Sequence, residues 1–268
     1  MLYGFIGTGS MGGVLAQCCA KVVEPEHILL SNRTRAKAMA LAEKLGAQCS
    51  DNETIAAKCD VVFLGVKPQM MEDMLRPLQP VLAGRKEPFL LVSMAAGLTV
   101  EAIRKMAGDA YPVLRIMPNT ACAVGEGMTL YTCSDGVTEE QKQAVLQALS
   151  ASGLTEEISE GLLDAGSAVA GCGGAFACLF LEGLADGGVL CGLPRSKAQR
   201  MAAQMLLGSA KLALEGGEHT GAMKDTICSP GGTTIAGVRK LESMAFRSAA
   251  MEAVIAAWER TQALKKEL

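Results

Sequence analysis

Aromatic and histidine residues are scarce in this sequence. Aromatic residues make up 4% of the 268 residues, so we expect a core of Ala, Leu, Val and Met side chains with closely packed helices. The two histidines, His27 and His219, do not pair with any cysteine at a zinc-binding spacing, and no CxxC pair occurs. The sequence therefore predicts no metal site.

A large excess of either charge is also absent. The net charge is −3 at pH 7, which gives no overall electrostatic reason to bind nucleic acid or an anionic membrane surface. We therefore expect no nucleic-acid partner and no membrane partner. An anionic ligand would have to be held by local backbone dipoles or by a few placed cations.

The ten cysteines are too scattered for the disulfide framework of a small secreted domain. We expect reduced thiols in a cytoplasmic protein, since no basic targeting segment precedes the first apolar run. The apolar run at residues 165–181 is glycine-rich and slightly short for a membrane span. Because Asp164, Glu182 and Asp186 flank it, we expect a buried or intersubunit helix there.

Short apolar runs alternate with helical periods in the first part of the chain. Runs without polar alternation, separated by helices, are typical of a parallel sheet covered on both faces. From Glu160 onward we find no strand pattern, and the chain is helical in character. The predicted strands are residues 2–6, 27–30, 61–66, 89–92, 113–117 and 128–133, and the predicted helices include 11–22, 36–45 and 138–151.

A glycine-rich turn with the GxGxxG spacing follows the first predicted strand. In such turns the first glycine permits the tight bend, the second lets a pyrophosphate approach the backbone, and the third lets helix and strand pack closely. The helix that begins here also offers free N–H groups to phosphates. We predict cofactor contacts at Gly7, Thr8, Gly9, Ser10, Met11 and Gly12.

The next strand ends in SNRTR, where NAD-binding units normally carry an acidic residue for the ribose hydroxyls. A carboxylate would repel a 2′-phosphate, whereas Arg33 can pair with it and stack on adenine. The pattern favours NADPH, with NADH left open, and the alternative is that Arg33 and Arg35 only decorate an exposed helix start. The predicted contacts here are Ser31, Asn32, Arg33 and Thr34.

Three further strand ends should face the same crevice, because ligands of open parallel sheets bind outside the carboxyl ends of the strands. The small residues of SMAAG would let a flat nicotinamide ring come close. The predicted residues are Val66, Lys67 and Pro68 in VKPQ, Ala95, Ala96 and Gly97 in SMAAG, and Asn119 in MPNT. We therefore predict the α/β class, with an N-terminal Rossmann-type doubly wound sheet (residues 1–157) and a C-terminal all-helical domain (residues 158–268).

The stretch DTICSPGGTTIAG, residues 225–237, interrupts the helical part with proline, glycines and threonines. It is either a turn between helices or a cradle for a small anion, in which backbone N–H groups and hydroxyls replace arginine. No general acid or base stands out nearby, which suits the reduction of an imine that arrives already protonated. The cradle residues are Ser229, Gly231, Gly232, Thr233 and Thr234.

SPGGTT after KD, together with LADGGV.CGLPR, VKPQ, MPNT and GFIGTGSMG, resembles the pyrroline-5-carboxylate reductase family over nearly the whole chain. The resemblance implies reduction of 1-pyrroline-5-carboxylate to L-proline with NAD(P)H, the last step of proline biosynthesis. It also implies a helical domain that intertwines with a second subunit, which completes the active site. Ser229, Gly232, Thr233 and Thr234 would hold the substrate carboxylate, with the catalytic Thr234 hydroxyl close to the ring nitrogen.

One segment departs from the family pattern: GCGGAF, residues 171–176, stands where GSGPA followed by Tyr or Phe is usual. The extra glycine at Gly174 loosens the helix start by about 1 kcal/mol, and Cys172 removes a hydroxyl. Two other functions stay open: another NADP-dependent imine or 3-hydroxyacid-type reductase, and a non-catalytic NADP-binding protein. The apolar helical half predicts an obligate homodimer, and assembly into a decamer stays open.

Overall fold

The computed structural model describes residues 1–265, which form two compact units. The first comprises Met1–Gly171 together with the described residues from Trp258 onward, and the second comprises Cys172–Ala257. The boundary between the two compact units thus follows Gly171. The domain boundary predicted between residues 157 and 158 stays a prediction. The last three positions of the predicted second domain, residues 266–268, lie outside the described residues.

The first unit is built on an eight-stranded sheet in the order β3-β2-β1-β4-β5-β6-β7-β8. All neighbouring strands are parallel except the antiparallel pair β6–β7. The strands are β1 (Tyr3–Ile6), β2 (Ile28–Ser31), β3 (Gln48–Cys49), β4 (Val61–Leu64), β5 (Leu90–Ser93), β6 (Val113–Met117), β7 (Gly127–Cys133) and β8 (Gly153–Glu157).

Helices cover both faces of this sheet, as the apolar strands predict. Phe5 and Phe63 stack with their ring centroids 4.4 Å apart in one core cluster, whereas their neighbours Ile6 and Leu64 lie in the other. The helices of this unit are α1 (Ser10–Cys19), α2 (Arg35–Leu45), α3 (Asn52–Lys58), α4 (Met71–Leu75), α5 (Gln79–Ala83), α6 (Val100–Ala107), α7 (Glu139–Leu149) and α8 (Leu163–Ala170). The predicted α/β class with a doubly wound sheet is confirmed.

Three details of the predicted sheet were wrong. β7 runs antiparallel because only residues 118–126 separate it from β6, too short a connection for a parallel crossover. β8 was missed, since its sequence GLTEE is largely exposed and carries no apolar run. β3 was missed because it is two residues long and not fully buried.

The second unit is helical throughout its described residues. Its helices are α9 (Gly173–Leu190), α10 (Arg195–Gly216), α11 (Thr220–Ile227) and α12 (Thr233–Ser243), and α13 (Phe246–Lys265) contributes residues to both units. Phe180 and Phe246 pack within this unit with ring centroids 5.4 Å apart. Many large apolar side chains nevertheless stay exposed, such as Leu190 (89%), Leu214 (71%) and Leu179 (69%). A single chain therefore leaves most of the apolar surface of this unit uncovered.

Candidate functional site

The glycine-rich turn after β1 is held tightly against the neighbouring backbone. Gly7 has φ +95°, and its N–H donates to the Ser31 carbonyl at 2.9 Å. A Cβ on Gly12 would collide with the carbonyl oxygen of Gly7, and so would a Cβ on Gly65 after β4. At Gly9, by contrast, no described atom beyond its two chain neighbours lies within 4 Å of the Cβ position. The backbone is thus closely packed at Gly7, Gly12 and Gly65, whereas the open space at Gly9 leaves room for a phosphate.

A cleft of about 570 Å³ opens beside this turn. Arg33, Lys37 and Lys67 place cationic side chains on its wall, and Asp73 lies there too. This donor set and the open position at Gly9 fit a dinucleotide with an additional phosphate. The cleft brings together seven of the predicted cofactor residues: Gly7, Gly9, Asn32, Arg33, Thr34, Val66 and Lys67.

A second pocket, of about 480 Å³, shares Asn32, Arg33, Asn52 and Pro77 with the first. Ser31 also lines it, and its hydroxyl donates to Oδ1 of Asn52 at 2.6 Å. Because that bond occupies the Asn52 oxygen, the Asn52 amide N–H groups remain to donate. Asn52, Lys37 and Gly65 were not predicted from the sequence. Gly65 could have been found, since a glycine after a strand that neighbours β1 is a typical place for close backbone approach.

The remaining predicted residues of the turn and of the VKPQ segment are not among the residues that line this cleft. Thr8 is buried, and its hydroxyl has no hydrogen-bond partner among the described residues. Ser10 and Met11 begin α1, whose N-cap is Gly9. Pro68 starts the 3-10 turn Pro68–Met70.

The loop between β5 and α6 carries the predicted nicotinamide residues. Ala95 is buried, Ala96 is exposed, and Gly97 has φ +82°, which only glycine adopts without strain. The buried Ala95 anchors the loop, and the exposed Ala96 is presented on its surface.

Asn119 has most of its hydrogen-bonding capacity used inside the first unit. Its Oδ1 accepts from the backbone N–H groups of Ala121 and Met128 at 3.2 and 3.3 Å. Its Nδ2 donates to the Ala170 carbonyl at 2.9 Å. These three bonds make Asn119 a link between the end of β6, the start of β7 and the end of α8. A contact with the cofactor would have to use its one remaining amide hydrogen.

The predicted cradle is a tight loop between α11 and α12. Gly231 has φ +67°, and the N–H of Gly232 bonds to the Ser229 carbonyl at 3.0 Å. A Cβ on Gly232 would meet Oγ of Ser229, so a larger residue there would force the Ser229 side chain to move. Gly232 is the N-cap of α12, and among the described residues no side chain caps this helix.

An uncapped helix start leaves N–H groups free and carries a partial positive charge. Thr233 and Thr234 are the first two residues of α12, and both are exposed in the single chain. The loop from Ser229 to Thr234 can therefore bind a carboxylate without a cationic side chain.

The titratable side chains of His219, Lys224 and Asp225, which precede this loop in sequence, are engaged in local bonds. His219 is the N-cap of α11, where its Nδ1 accepts from the Gly221 N–H at 3.1 Å. This bond gives His219 a structural role in capping the helix. Lys224 is ion-paired with Asp225. In the other unit, burial raises the pKa of the Cys19 thiol to about 12 and that of Cys59 to about 12, so both stay protonated.

Comparison with known proteins identifies the chain. A family model described as pyrroline-5-carboxylate reductase dimerisation matches residues 160–264, and one described as NADP oxidoreductase, coenzyme F420-dependent, matches residues 2–97. A pyrroline-5-carboxylate reductase from Synechocystis sp. is 42% identical over 267 residues, covering 98% of each chain. The chain belongs to the pyrroline-5-carboxylate reductase family.

Solved structures of family members are similar over the same length. The pyrroline-5-carboxylate reductase from Coxiella burnetii has a TM-score of 0.91 and 32% identity, covering 98% of this chain and 97% of that one. The pyrroline carboxylate reductase from Plasmodium falciparum, solved with NADP bound, has a TM-score of 0.84 and 31% identity, covering 99% and 98%. The predicted family and fold are thereby confirmed.

Residues Glu160–Leu190 are long and apolar enough to cross a membrane by length and composition alone. Only 11% of the most apolar window is buried within the chain. One such stretch is weak evidence for a membrane span. This stretch lies within residues 160–264, which match the dimerisation model, so its apolar surface can serve in contacts between subunits.

Proposed function

We propose that the chain reduces 1-pyrroline-5-carboxylate to L-proline with NAD(P)H, the last step of proline biosynthesis. The observation that carries this proposal is the uncapped start of α12 at Gly232. We assign the substrate carboxylate to this helix start and the nucleotide to the cleft beside Gly9.

The nucleotide is held by the glycine turn and by the cations of the cleft. The N-terminus of α1 and the open position at Gly9 would hold the pyrophosphate. Arg33 pairs with a 2′-phosphate, which makes NADPH the preferred cofactor and leaves NADH as a weaker one. Val66, Lys67 and the 95–97 segment would hold the nicotinamide end. When bound, the cofactor supplies a hydride.

The residues of the loop after α11 bind and orient the substrate. The N–H groups at the start of α12, with Ser229 and Thr233, hold the carboxylate, because the helix dipole favours an anion there. The Thr234 hydroxyl lies close to the ring nitrogen and orients the C=N bond. The imine carbon gains a C–H bond while the π electrons of C=N become the nitrogen lone pair. A protonated imine thus becomes a neutral amine, so this step needs no proton from the protein.

The active unit is proposed to be a homodimer. The exposed apolar side chains of α9 and α10 need a partner surface, and the matched family segment is a dimerisation domain. We propose that a second copy of the chain completes the site, and that dimers can assemble further into a decamer. A monomeric mass in light scattering at working concentration would contradict this. We place the enzyme in the cytoplasm, without a nucleic-acid or membrane partner.

An absorbance assay at 340 nm tests the function. We expect NADPH oxidation that depends on pyrroline-5-carboxylate, with L-proline as product. Turnover of 3-hydroxyacids in its place would favour the 3-hydroxyacid-type reductase. Nucleotide binding without turnover of either substrate would favour a non-catalytic NADP-binding protein.

A further inference from the structure

Glu160 joins two parts of the first unit that are distant in sequence. Its Oε1 accepts from the backbone N–H of Val100 at 2.7 Å and from Nη1 of Arg115 at 3.2 Å. The Arg115 side chain lies on β6 and is 1% exposed. Val100 is the first residue of α6. One carboxylate oxygen therefore binds both a buried cation and the start of a helix.

This helix start is the end of the loop at residues 94–99, which carries Ala95–Gly97. The beginning of the loop is next to β6 as well, because Ser93, the last residue of β5, pairs in register with Arg115. Within the loop, Ala95 and Leu98 are buried. Arg115 and Glu160 thus lie beside its beginning and its end.

The other end of α6 is fixed independently. Arg104 donates to the Tyr111 carbonyl and to Oγ of Ser134, each at 3.0 Å. Because these bonds hold the C-terminal end of α6, loss of the Glu160 bond at its N-terminus would shift the preceding loop more than the helix.

Arg115 and Val100 both depend on Glu160 for an acceptor. Among residues 1–265, Nε and Nη2 of Arg115 have no hydrogen-bond partner, and the nearest oxygen of Asp164 lies 3.7 Å from Nη2. The bond to Glu160 is charge-assisted and lies at a helix N-terminus, where a carboxylate is favoured. Removing Glu160 would leave the Val100 N–H without this acceptor and the buried guanidinium with weaker compensation.

We propose that Glu160 and Arg115 are positioning residues for hydride transfer, which hold the 94–99 loop where Ala95, Ala96 and Gly97 meet the nicotinamide ring. This rests on the proposed function, since it assigns the loop to the nicotinamide. The phosphates and the adenosine use the glycine turn and Arg33, which make none of these contacts. The pair therefore acts on the nicotinamide end of the cofactor and not on the rest.

Two variants and a control test this role. Glu160→Ala removes the acceptor, Glu160→Gln keeps a neutral one for Val100, and Glu156→Gln changes an exposed carboxylate on β8. For each we measure kcat with pyrroline-5-carboxylate, the Kd of NADPH, and the Kd of 2′-phosphoadenosine diphosphate ribose, which lacks only the nicotinamide.

With Glu160→Ala we expect kcat to fall at least tenfold and the NADPH Kd to rise at least fivefold, while the Kd of the fragment stays within twofold. In Glu160→Gln, kcat and the affinity for NADPH should fall less. In Glu156→Gln, both should equal those of the unaltered chain.

Two results would overturn the proposal. One is unchanged kcat and NADPH affinity in Glu160→Ala. The other is an equal loss of affinity for NADPH and for the fragment, which would mean that Glu160 supports the whole domain and not the loop. If the unaltered chain itself fails to turn over pyrroline-5-carboxylate, the proposed function fails, and the two Kd values still decide whether Glu160 positions the loop.

Discussion

Asp164 is the carboxylate whose loss should cost the first unit most. Its side chain is 6% exposed, and its Oδ2 accepts from Nε2 of Gln262 at 2.9 Å and pairs with Lys265. Its Oδ1 lies 3.7 Å from Nη2 of Arg115. Asp164→Asn keeps the size of the side chain but removes the negative charge that faces both cations. We therefore expect a large loss of stability from a small change in shape.

The size of the loss follows from burial. Removing one partner of a buried ion pair costs about 3–5 kcal/mol, because the other charge is left uncompensated. For a chain of this size, each kcal/mol lowers Tm by about 2–4 °C, so Tm should fall by about 6–12 °C at the low end of that cost. The matched control is Asp73→Asn, whose carboxylate is 79% exposed and pairs with Arg76. That surface pair should be worth less than about 1 kcal/mol.

The effect should also depend on pH in a defined direction. Burial alone would raise the pKa of Asp164, but the hydrogen bonds from Lys265 and Gln262, with the charges of Lys265 and Arg115, lower it overall. A lowered pKa stabilises the fold above the unfolded value of about 3.9, and this stabilisation is lost as pH falls through the folded pKa. Thermal melts of Asp164→Asn and of the unaltered chain, at equal concentration from pH 7 to pH 3, should therefore begin to converge below about pH 4 and meet only below the lowered folded pKa. A Tm difference under 1 °C at pH 7, or one that does not shrink in acid, would refute this reasoning.

Three further predictions concern the two ligand sites. Arg33→Ala should weaken the binding of NADPH by about 10- to 100-fold, the value of a charge-assisted phosphate contact, and that of NADH by less than about threefold. Equal losses of affinity in a titration would mean that Arg33 only stacks on adenine. Thr234→Ala should lower kcat/KM for pyrroline-5-carboxylate by about tenfold or more, or about 1.4 kcal/mol, with the NADPH Kd unchanged; near-normal kinetics would contradict the placement of the substrate. Gly12→Ala should abolish NADPH binding because its Cβ meets the Gly7 carbonyl, whereas Gly13→Ala, whose nearest contact is the Thr8 carbonyl at 3.5 Å, should still bind; equal binding by both would argue against close packing at the turn.

Much of the fold could be predicted because local sequence and long-range structure agree. The strand at residues 113–117 was placed at its observed ends, since five apolar or buried positions fall between a proline on each side. The helix predicted at residues 138–151 spans Glu139–Leu149, and Thr138 is its N-cap in a capping box with Gln141. The antiparallel turn into β7 could not be predicted from apolar content, because strand direction depends on the length of the connection.

The candidate site could be predicted where backbone geometry dictates the residue. Gly7, Gly12 and Gly231 stand at turns or close contacts that exclude other side chains, and such positions are readable from spacing. Asn52 was missed because it lies 20 residues beyond Asn32, and only the fold brings the two to one cleft. Glu160 was missed for the same reason, since its partner Val100 is 60 residues away.

The most direct test is a crystal structure of the chain with NADP⁺ and L-proline bound. A carboxylate oxygen of proline should lie within about 3.2 Å of backbone nitrogens at the start of α12, the normal range for such a hydrogen bond. The Thr234 hydroxyl should be the side-chain group nearest the ring nitrogen. Proline bound elsewhere, with residues 229–234 facing bulk solvent, would contradict the account.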